Sequence, residues 1–174
     1  LAVGAFVLLS GGNFFLLRDA LVNGPLWFRD YTLGGMQYGA KQLFGEAIPQ
    51  YLDHDPNVQV AVSPSWANGA DEFAFFFLTD EQLKRVQTHN IDYYAFEKHD
   101  DLIANTVLVM MPQEYEQARA DPKFTDLRVE QTIPYPDGSP GFYFVRLAYS
   151  ADADAIFAAE RGARRRLVEE QVEL

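Results

Sequence analysis

The segment that most constrains the fold is residues 57–78, which read NVQVAVSPSWANGADEFAFFFL. Its first part alternates valines with small or polar residues, which predicts a short strand. The SPSWANG stretch then predicts a loop, because proline removes a backbone donor and an Asn-Gly pair tolerates positive φ. Asp71 and Glu72 follow, and acidic side chains favour the amino terminus of a helix. The segment therefore predicts a strand, a loop and a helix in succession.

The loop of this unit is the first candidate site, because ligands bind beyond the carboxyl ends of strands in an open α/β sheet. An exposed Trp66 in this loop would stack on a sugar face while neighbouring polar groups bond the sugar hydroxyls. Those neighbours are Ser65, Asn68 and Asp71. The alternative is that Trp66 covers the sheet edge and the Asn-Gly pair only turns the chain. The exposure of Trp66 distinguishes the two interpretations.

The segments on either side predict helices. Residues 36–52 carry apolar residues at helical spacing and predict an amphipathic helix, which Pro49 kinks or shortens. Residues 79–82 form a capping-box pattern, which predicts a short helix with Leu83 and Val86 on its buried face.

Two further strands are predicted in the middle of the chain. Residues 90–96 predict a strand that is followed by a charged loop at residues 97–101. Residues 105–111 are a continuous apolar run, which is typical of a central strand buried on both faces. Pro112 suits the first turn of the helix that comes next.

The last third of the chain predicts two strands, at residues 127–133 and 142–149, joined by a turn-rich loop as an antiparallel hairpin. A final helix begins near Asp152 or Asp154, and its arginines either complement the helix dipole or form a binding patch. The complete pattern predicts an α/β fold, a three-layer sandwich with a mainly parallel sheet and a C-terminal antiparallel hairpin.

The amino-terminal residues 1–17 are apolar and nearly free of charge. A bilayer-spanning helix needs about 20 such residues, so this run predicts the tail of a membrane helix, a buried helix or a signal-peptide core. We expect residues 1–24 to form this membrane-proximal or buried helix and residues 25–174 to form one α/β domain. Trp27 and Tyr31 flank the junction, where aromatic side chains favour a membrane interface or pack onto the domain.

The composition excludes several classes of function. The chain has 25 acidic against 14 basic residues and a net charge of −11, which argues against a nucleic-acid surface. It has no cysteine, so disulfides and thiolate metal sites are excluded. It contains no glycine-rich phosphate loop or nucleophile elbow, and its histidines lack metal-ligand spacing. We therefore expect no cofactor and no metal ion.

Two stretches, LRDALVNGPLWFRDYTLGGMQYGAKQLF from Leu17 to Phe44 and the later SPSWANGADEFAFFFL, carry a resemblance to a known family. The motifs W-F-R-D-Y, G-M-Q-Y-G and S-W-A-N-G within them resemble the carboxyl-terminal end of bacterial membrane glycosyltransferases of the GT-C class. These are family 39 enzymes, related to dolichyl-phosphate-mannose protein mannosyltransferases. In such proteins a many-spanning membrane part precedes a soluble extracytoplasmic domain.

The resemblance implies that this chain lacks the catalytic aspartate, which lies in the membrane part of such enzymes, and is inactive alone. It implies a soluble domain on the extracytoplasmic side of the cell membrane, with the membrane part of the same polypeptide as its partner. Trp27, Asp30, Tyr31 and Tyr38 would face the membrane-embedded site. The loop around Trp66 would meet a polyprenyl-phosphate sugar or a glycan or protein acceptor.

Three classes of function remain open. An accessory domain of a lipid-linked sugar transferase predicts an apolar start and a solvent-exposed S-W-A-N-G loop. A small hydrolase predicts that His99, Asp100 and Asp101 converge in a cleft. A structural or partner-binding module predicts an exposed apolar patch.

Overall fold

The computed structural model describes residues 2–22, 38–99, 102, 105–135 and 137–172. A π-helical segment, Lys41–Ala47, leads into the α/β part of the chain. The remaining elements, in chain order, are α1 (Ala2–Val22), α2 (Ile48–His54), β1 (Gln59–Val62), α3 (Ala70–Phe77), α4 (Asp80–Leu83), β2 (Val86–Gln87), α5 (Ile91–Phe96), β3 (Thr106–Met110), α6 (Pro112–Ala120), β4 (Phe124–Pro134), β5 (Pro140–Tyr149) and α7 (Ala153–Val172).

The strands form one five-stranded sheet in the order β2-β1-β3-β5-β4. β1 pairs in parallel with both β2 and β3, and Val60 lies opposite Val86 on one side and Val107 on the other. β5 is antiparallel to β3 and forms the hairpin with β4. The predicted α/β class, the parallel core strands and the C-terminal antiparallel hairpin are therefore confirmed.

Helices cover both faces of the sheet, which makes three layers. One apolar cluster joins Val60 and Val62 to the π-helical segment, α2 and α3. The other joins Ala61 to α5 and α6. All five residues of β3 are buried, as expected for a central strand with a helical layer on each side.

Residues 90–96 form helix α5, so the predicted strand there is wrong, and the charged loop after it leaves a helix. The Asn90 side chain accepts a hydrogen bond from the Tyr93 N–H at 3.3 Å, which caps the helix. Ile91 and Tyr94 lie three residues apart, on the same helical face, and both are buried. The local cap and this spacing outweigh the β propensity of the two tyrosines.

The helix predicted over residues 36–52 is confirmed within the described residues, but it does not end at Pro49. The Ile48 N–H bonds to the Leu43 carbonyl, five residues back, and the helix then continues to His54. The π hydrogen bonds therefore end immediately before Pro49, which has no N–H to donate.

The short helix α4 has the predicted capping box between Thr79 and Gln82. Its predicted buried face is wrong in part, because Val86 lies in strand β2 and not in the helix. The turn between them positions Arg85.

Arg85 holds the junction of α2, β1 and β2. Its Nε donates to the Val58 carbonyl at 3.1 Å, and its Nη2 donates to the carbonyls of Leu52 at 3.1 Å and Asp55 at 2.5 Å. One guanidinium therefore satisfies acceptors at the end of α2 and at the entry to β1.

We expect Arg85→Ala to lower the free energy of unfolding by about 2 to 4 kcal/mol, because three partly buried carbonyls lose a charged donor. Urea denaturation followed by circular dichroism measures this loss. Lys84→Ala is the matched control, since Lys84 pairs with the exposed Glu81, and we expect a change within about 0.5 kcal/mol. Equal losses for both variants would contradict the assigned role of Arg85.

Candidate functional site

The strand order creates a crevice between the carboxyl ends of β1 and β3. The connection from β1 to β2 packs on one face of the sheet, and α5, between β2 and β3, packs on the other. In doubly wound α/β proteins a ligand commonly lies at such a switch point. Ser63 follows β1 at this crevice, and Glu114 lies in the first turn of α6 after β3.

A side chain of the protein itself closes this crevice. The Ser63 hydroxyl donates to Glu114 Oε1 at 2.6 Å, and the Met111 N–H donates to Oε2 at 2.9 Å. The Ser65 N–H donates to Ser63 Oγ at 3.1 Å. Ser63 and Glu114 are both buried. The Met111 N–H already bonds to the Glu114 carboxylate and the Ser65 N–H to the Ser63 hydroxyl, so neither is available to a phosphate, which disfavours nucleotide binding at this position.

Trp66 is only 8% exposed, so the prediction of a solvent-exposed ring is wrong. The indole stacks between Phe44 and Phe73, and it contacts Phe142 edge-on at a centroid distance of 5.2 Å. Its Nε1 has no hydrogen-bond partner among the described residues. Trp66 therefore contributes to the core of one helical layer, and its faces are unavailable for stacking on a sugar.

The other predicted residues of this loop lie at the surface. Ser65, Asn68 and Asp71 are exposed, and the Ser65 hydroxyl accepts from Asn90 Nδ2 at 3.3 Å. This contact links the loop to the residues that follow β2.

Tyr38, predicted to face a membrane-embedded site, is partly buried and packs against Tyr135 at a centroid distance of 5.7 Å. Burial and the negative charge of Glu46 raise the pKa of Tyr38 above its usual value. Trp27, Asp30 and Tyr31 lie outside the described residues.

A groove beside the end of β2 holds a stack of three rings. Tyr93 lies between His89 and His99, at centroid distances of 3.8 Å and 3.9 Å. Pro64 and Phe96 also line this groove, which has a volume of about 510 Å³. We call it the aromatic groove. The sequence does not predict this groove, because a strand at residues 90–96 would not put Tyr93 and Phe96 on one turn of a helix. The helix cap at Asn90 is the sequence feature that indicates α5.

His99, predicted as part of a hydrolase site, packs its ring against Tyr93 in this stack. Its backbone N–H donates to the Tyr149 hydroxyl at 3.1 Å. Its predicted partners Asp100 and Asp101 lie outside the described residues. Among the described residues, no group of three or more histidine, aspartate or glutamate side chains is arranged to hold a metal ion.

A second cavity, of about 270 Å³, adjoins the aromatic groove, and we call it the arginine pocket. Phe96 and Glu97 line both cavities, and Arg161, Arg164 and Arg165 complete the second. The Arg164 guanidinium lies over the Phe96 ring at 4.5 Å. Ring surface and positive charge are therefore adjacent.

A polar network lies at the opposite end of the sheet. Arg146 donates to Asn105 at 2.8 Å and to Glu130 at 3.1 Å, and Tyr51 also donates to Glu130. Burial alone would raise the pKa of Glu130, but hydrogen bonds from Tyr51 and Arg128 and the charge of Arg146 lower it below its usual value. Burial and the bond to Glu130 raise the pKa of Tyr51. The network joins α2 to the hairpin.

Comparison of the chain with family models, with curated proteins and with solved structures finds no match. The site is therefore defined by its own geometry: a closed crevice at β1 and β3, and an open aromatic groove that adjoins an arginine pocket.

We expect Ser63→Ala to lower the free energy of unfolding by about 1 to 3 kcal/mol, because the buried Glu114 carboxyl loses its donor. Thermal and urea unfolding measure the change. Ser65→Ala is the control, because its exposed hydroxyl accepts only a 3.3 Å bond, and we expect less than about 0.5 kcal/mol. A negligible effect of Ser63→Ala would show that Glu114 does not depend on this donor.

The lowered pKa of Glu130 predicts an acid-dependent stability. A carboxyl with a depressed folded pKa stabilises the fold above its unfolded pKa, about 4.3, and loses that contribution as the pH falls through the folded value. We expect Glu130→Gln to flatten the fall in unfolding free energy below about pH 4. Glu116→Gln, on an exposed part of α6, should leave that slope unchanged. Parallel pH profiles for the wild type and Glu130→Gln would contradict this assignment.

Proposed function

We propose that this chain is a non-catalytic domain of a membrane glycosyltransferase that uses lipid-linked sugars, and that it assists recognition of the donor or the acceptor on the extracytoplasmic side. The observation that carries the proposal is helix α1, whose apolar part, Val3–Leu21, is not buried against any described part of the chain. An exposed apolar helix in front of a folded domain is suited to a lipid environment.

The dimensions of α1 support this role. Its apolar part, Val3–Leu21, is long and apolar enough to cross a membrane by length and composition. The whole helix, Ala2–Val22, measures about 31 Å at 1.5 Å per residue, and the hydrocarbon core of a bilayer is about 30 Å thick. A secretory signal sequence meets the same criterion, so the test below separates retention in the membrane from cleavage.

An exposed apolar pair on α3 supports a partner near the membrane. Phe75 and Phe76 are 71% and 80% exposed. The next residue, Phe77, packs against the π-helical segment, where Gly45 leaves room for its ring. This pair therefore lies beside the segment at which the chain enters the α/β domain. The membrane part of the same polypeptide is the partner that this placement favours.

The aromatic groove supports sugar recognition. The two histidine rings stack on Tyr93, so the ring most accessible to a sugar is Phe96, which is 62% exposed although Arg164 lies over it. Asn90 and Asp92 supply polar groups in the same groove. Ring surface with a few polar groups is the combination that carbohydrate sites use, since the rings contact the C–H face of a sugar and the polar groups bond its hydroxyls. The groove takes the role that the sequence assigned to Trp66.

We expect the full chain, expressed in bacterial membranes, to resist extraction with alkaline carbonate at its uncleaved mass. Leu9→Asp should release it, because one carboxylate at the centre of a membrane helix costs about 3 kcal/mol. Leu167→Asp is the matched control, since Leu167 is 61% exposed on α7 and Leu9 is 67% exposed on α1. Release of the wild type, or loss of α1 by cleavage, would contradict membrane anchoring.

The recognition role has its own measurement on the same protein. We expect polyprenyl-phosphate mannose in detergent to shift the NMR signals of Asn90, Tyr93 and Phe96, while polyprenyl phosphate alone shifts them less. An unchanged spectrum with the lipid-linked sugar and with a panel of neutral oligosaccharides would overturn the proposal.

A further inference from the structure

We infer that the aromatic groove and the arginine pocket form one binding site for a saccharide that carries a phosphate group. This names the class of ligand for the recognition role proposed above, and it rests on that proposal only for the biological source of the ligand. The geometry of the two cavities carries the argument.

The two cavities are adjacent and share part of their lining. Phe96 and Glu97, at the end of α5, line both of them. A ligand seated along Phe96 therefore has Tyr93 and His99 on one side and the arginines of α7 on the other. The combined site suits a molecule with a neutral ring at one end and an anion at the other.

The charge in the arginine pocket is unusual for this chain. Only 14 of its 174 residues are lysine or arginine, and the net charge is −11. Three of those cations, Arg161, Arg164 and Arg165, nevertheless line one small cavity with a single carboxylate, Glu97. They lie three and four residues apart, so they share one face of α7.

Two of these arginines have no anionic partner in the part of the chain that the structure describes. Arg164 lies 3.8 Å from the Glu160 carboxylate. Among the described residues, neither Arg161 nor Arg165 forms an ion pair or a hydrogen bond through its side chain. An unpaired guanidinium offers a planar fork of donors that matches a phosphate in two-point geometry. The pocket therefore offers an anion two guanidinium groups that no described carboxylate engages.

The face that carries the arginines is fixed to the domain. Phe157, one turn before Arg161, is buried and packs against Tyr149. Lys123, also buried, bonds to Glu160 at 3.0 Å and to the Ala95 carbonyl in α5 at 2.8 Å. These contacts hold α7 against α5, so the arginines keep their position relative to Phe96.

Calorimetric titration of the full chain in detergent micelles tests this site, with mannose 1-phosphate, mannose and inorganic phosphate as probes. We expect mannose 1-phosphate to bind at least about tenfold more tightly than either fragment, because it uses both cavities. Arg165→Ala should weaken mannose 1-phosphate about tenfold or more by removing a charge-assisted donor. Arg166→Ala, the same change of charge at the next residue but outside the pocket, should alter binding less than about twofold.

Phe96→Ala separates the two ends of the site. Because the Phe96 ring is largely exposed, its removal should leave the fold intact, weaken mannose 1-phosphate and leave inorganic phosphate unchanged. No binding of mannose 1-phosphate would overturn the inference. Equal losses for Arg165→Ala and Arg166→Ala, or equal affinity for mannose 1-phosphate and inorganic phosphate, would overturn it as well, since either result reduces the site to general surface charge.

The source of the phosphosugar is distinguished in a final arm. Tighter binding of polyprenyl-phosphate mannose than of mannose 1-phosphate identifies a lipid head group, and equal affinity identifies a soluble sugar phosphate; both results support the site. A wild type that is not retained in membranes but still binds mannose 1-phosphate through Arg165 would contradict the proposed function and support the binding site.

Discussion

The burial of β3 on both faces is the constraint on which the rest of the structure depends. All five of its residues are buried, and its neighbours β1 and β5 contribute further apolar side chains to both layers. A strand of this kind requires a helical layer on each side, because neither apolar face tolerates water. The chain meets this requirement by crossing the sheet between β1 and β3, and that crossing creates the crevice which Ser63 and Glu114 then close. Side chains of the protein therefore fill the position where ligands usually bind in this fold. An open concave surface, the aromatic groove, lies one strand further along, beside β2 and α5.

The sequence predicts the elements whose signals are local and mutually consistent. The apolar run of β3, the capping box of α4, the proline that starts α6 and the alternating strands of the hairpin were all recognised. Helix α5 was not, because two tyrosines and an isoleucine within six residues favour a strand by propensity. One polar side chain, Asn90, decides the outcome by capping the helix. Helix α5 also supplies Tyr93 and Phe96 to the aromatic groove, so the wrong prediction of a strand also misplaces the residues of the site.

Trp66 illustrates a different limit. Its flanking residues are polar or turn-forming, and nothing local indicates whether its ring faces water or the core. Burial comes from partners distant in sequence: Phe44 in the π-helical segment and Phe142 in β5 reach it only after the sheet and its first helical layer have assembled. A loop residue can therefore be assigned to a turn from sequence, but its exposure is a property of the tertiary packing.

The contrast between an acidic chain and a local cationic pocket limits the kind of ligand that fits. At physiological ionic strength the Debye length is about 8 Å, so most of the net charge of −11 is screened at the arginine pocket. The carboxylates close enough to act there are Glu97, which lines the cavity, and Glu160, which contacts Arg164. A single phosphate close to Arg161 and Arg165 experiences mainly the nearby cations. A polyanion that extends along the surface would instead meet the acidic groups beyond the pocket at every step. The same electrostatics that disfavour nucleic acid therefore permit a small monophosphate at this pocket.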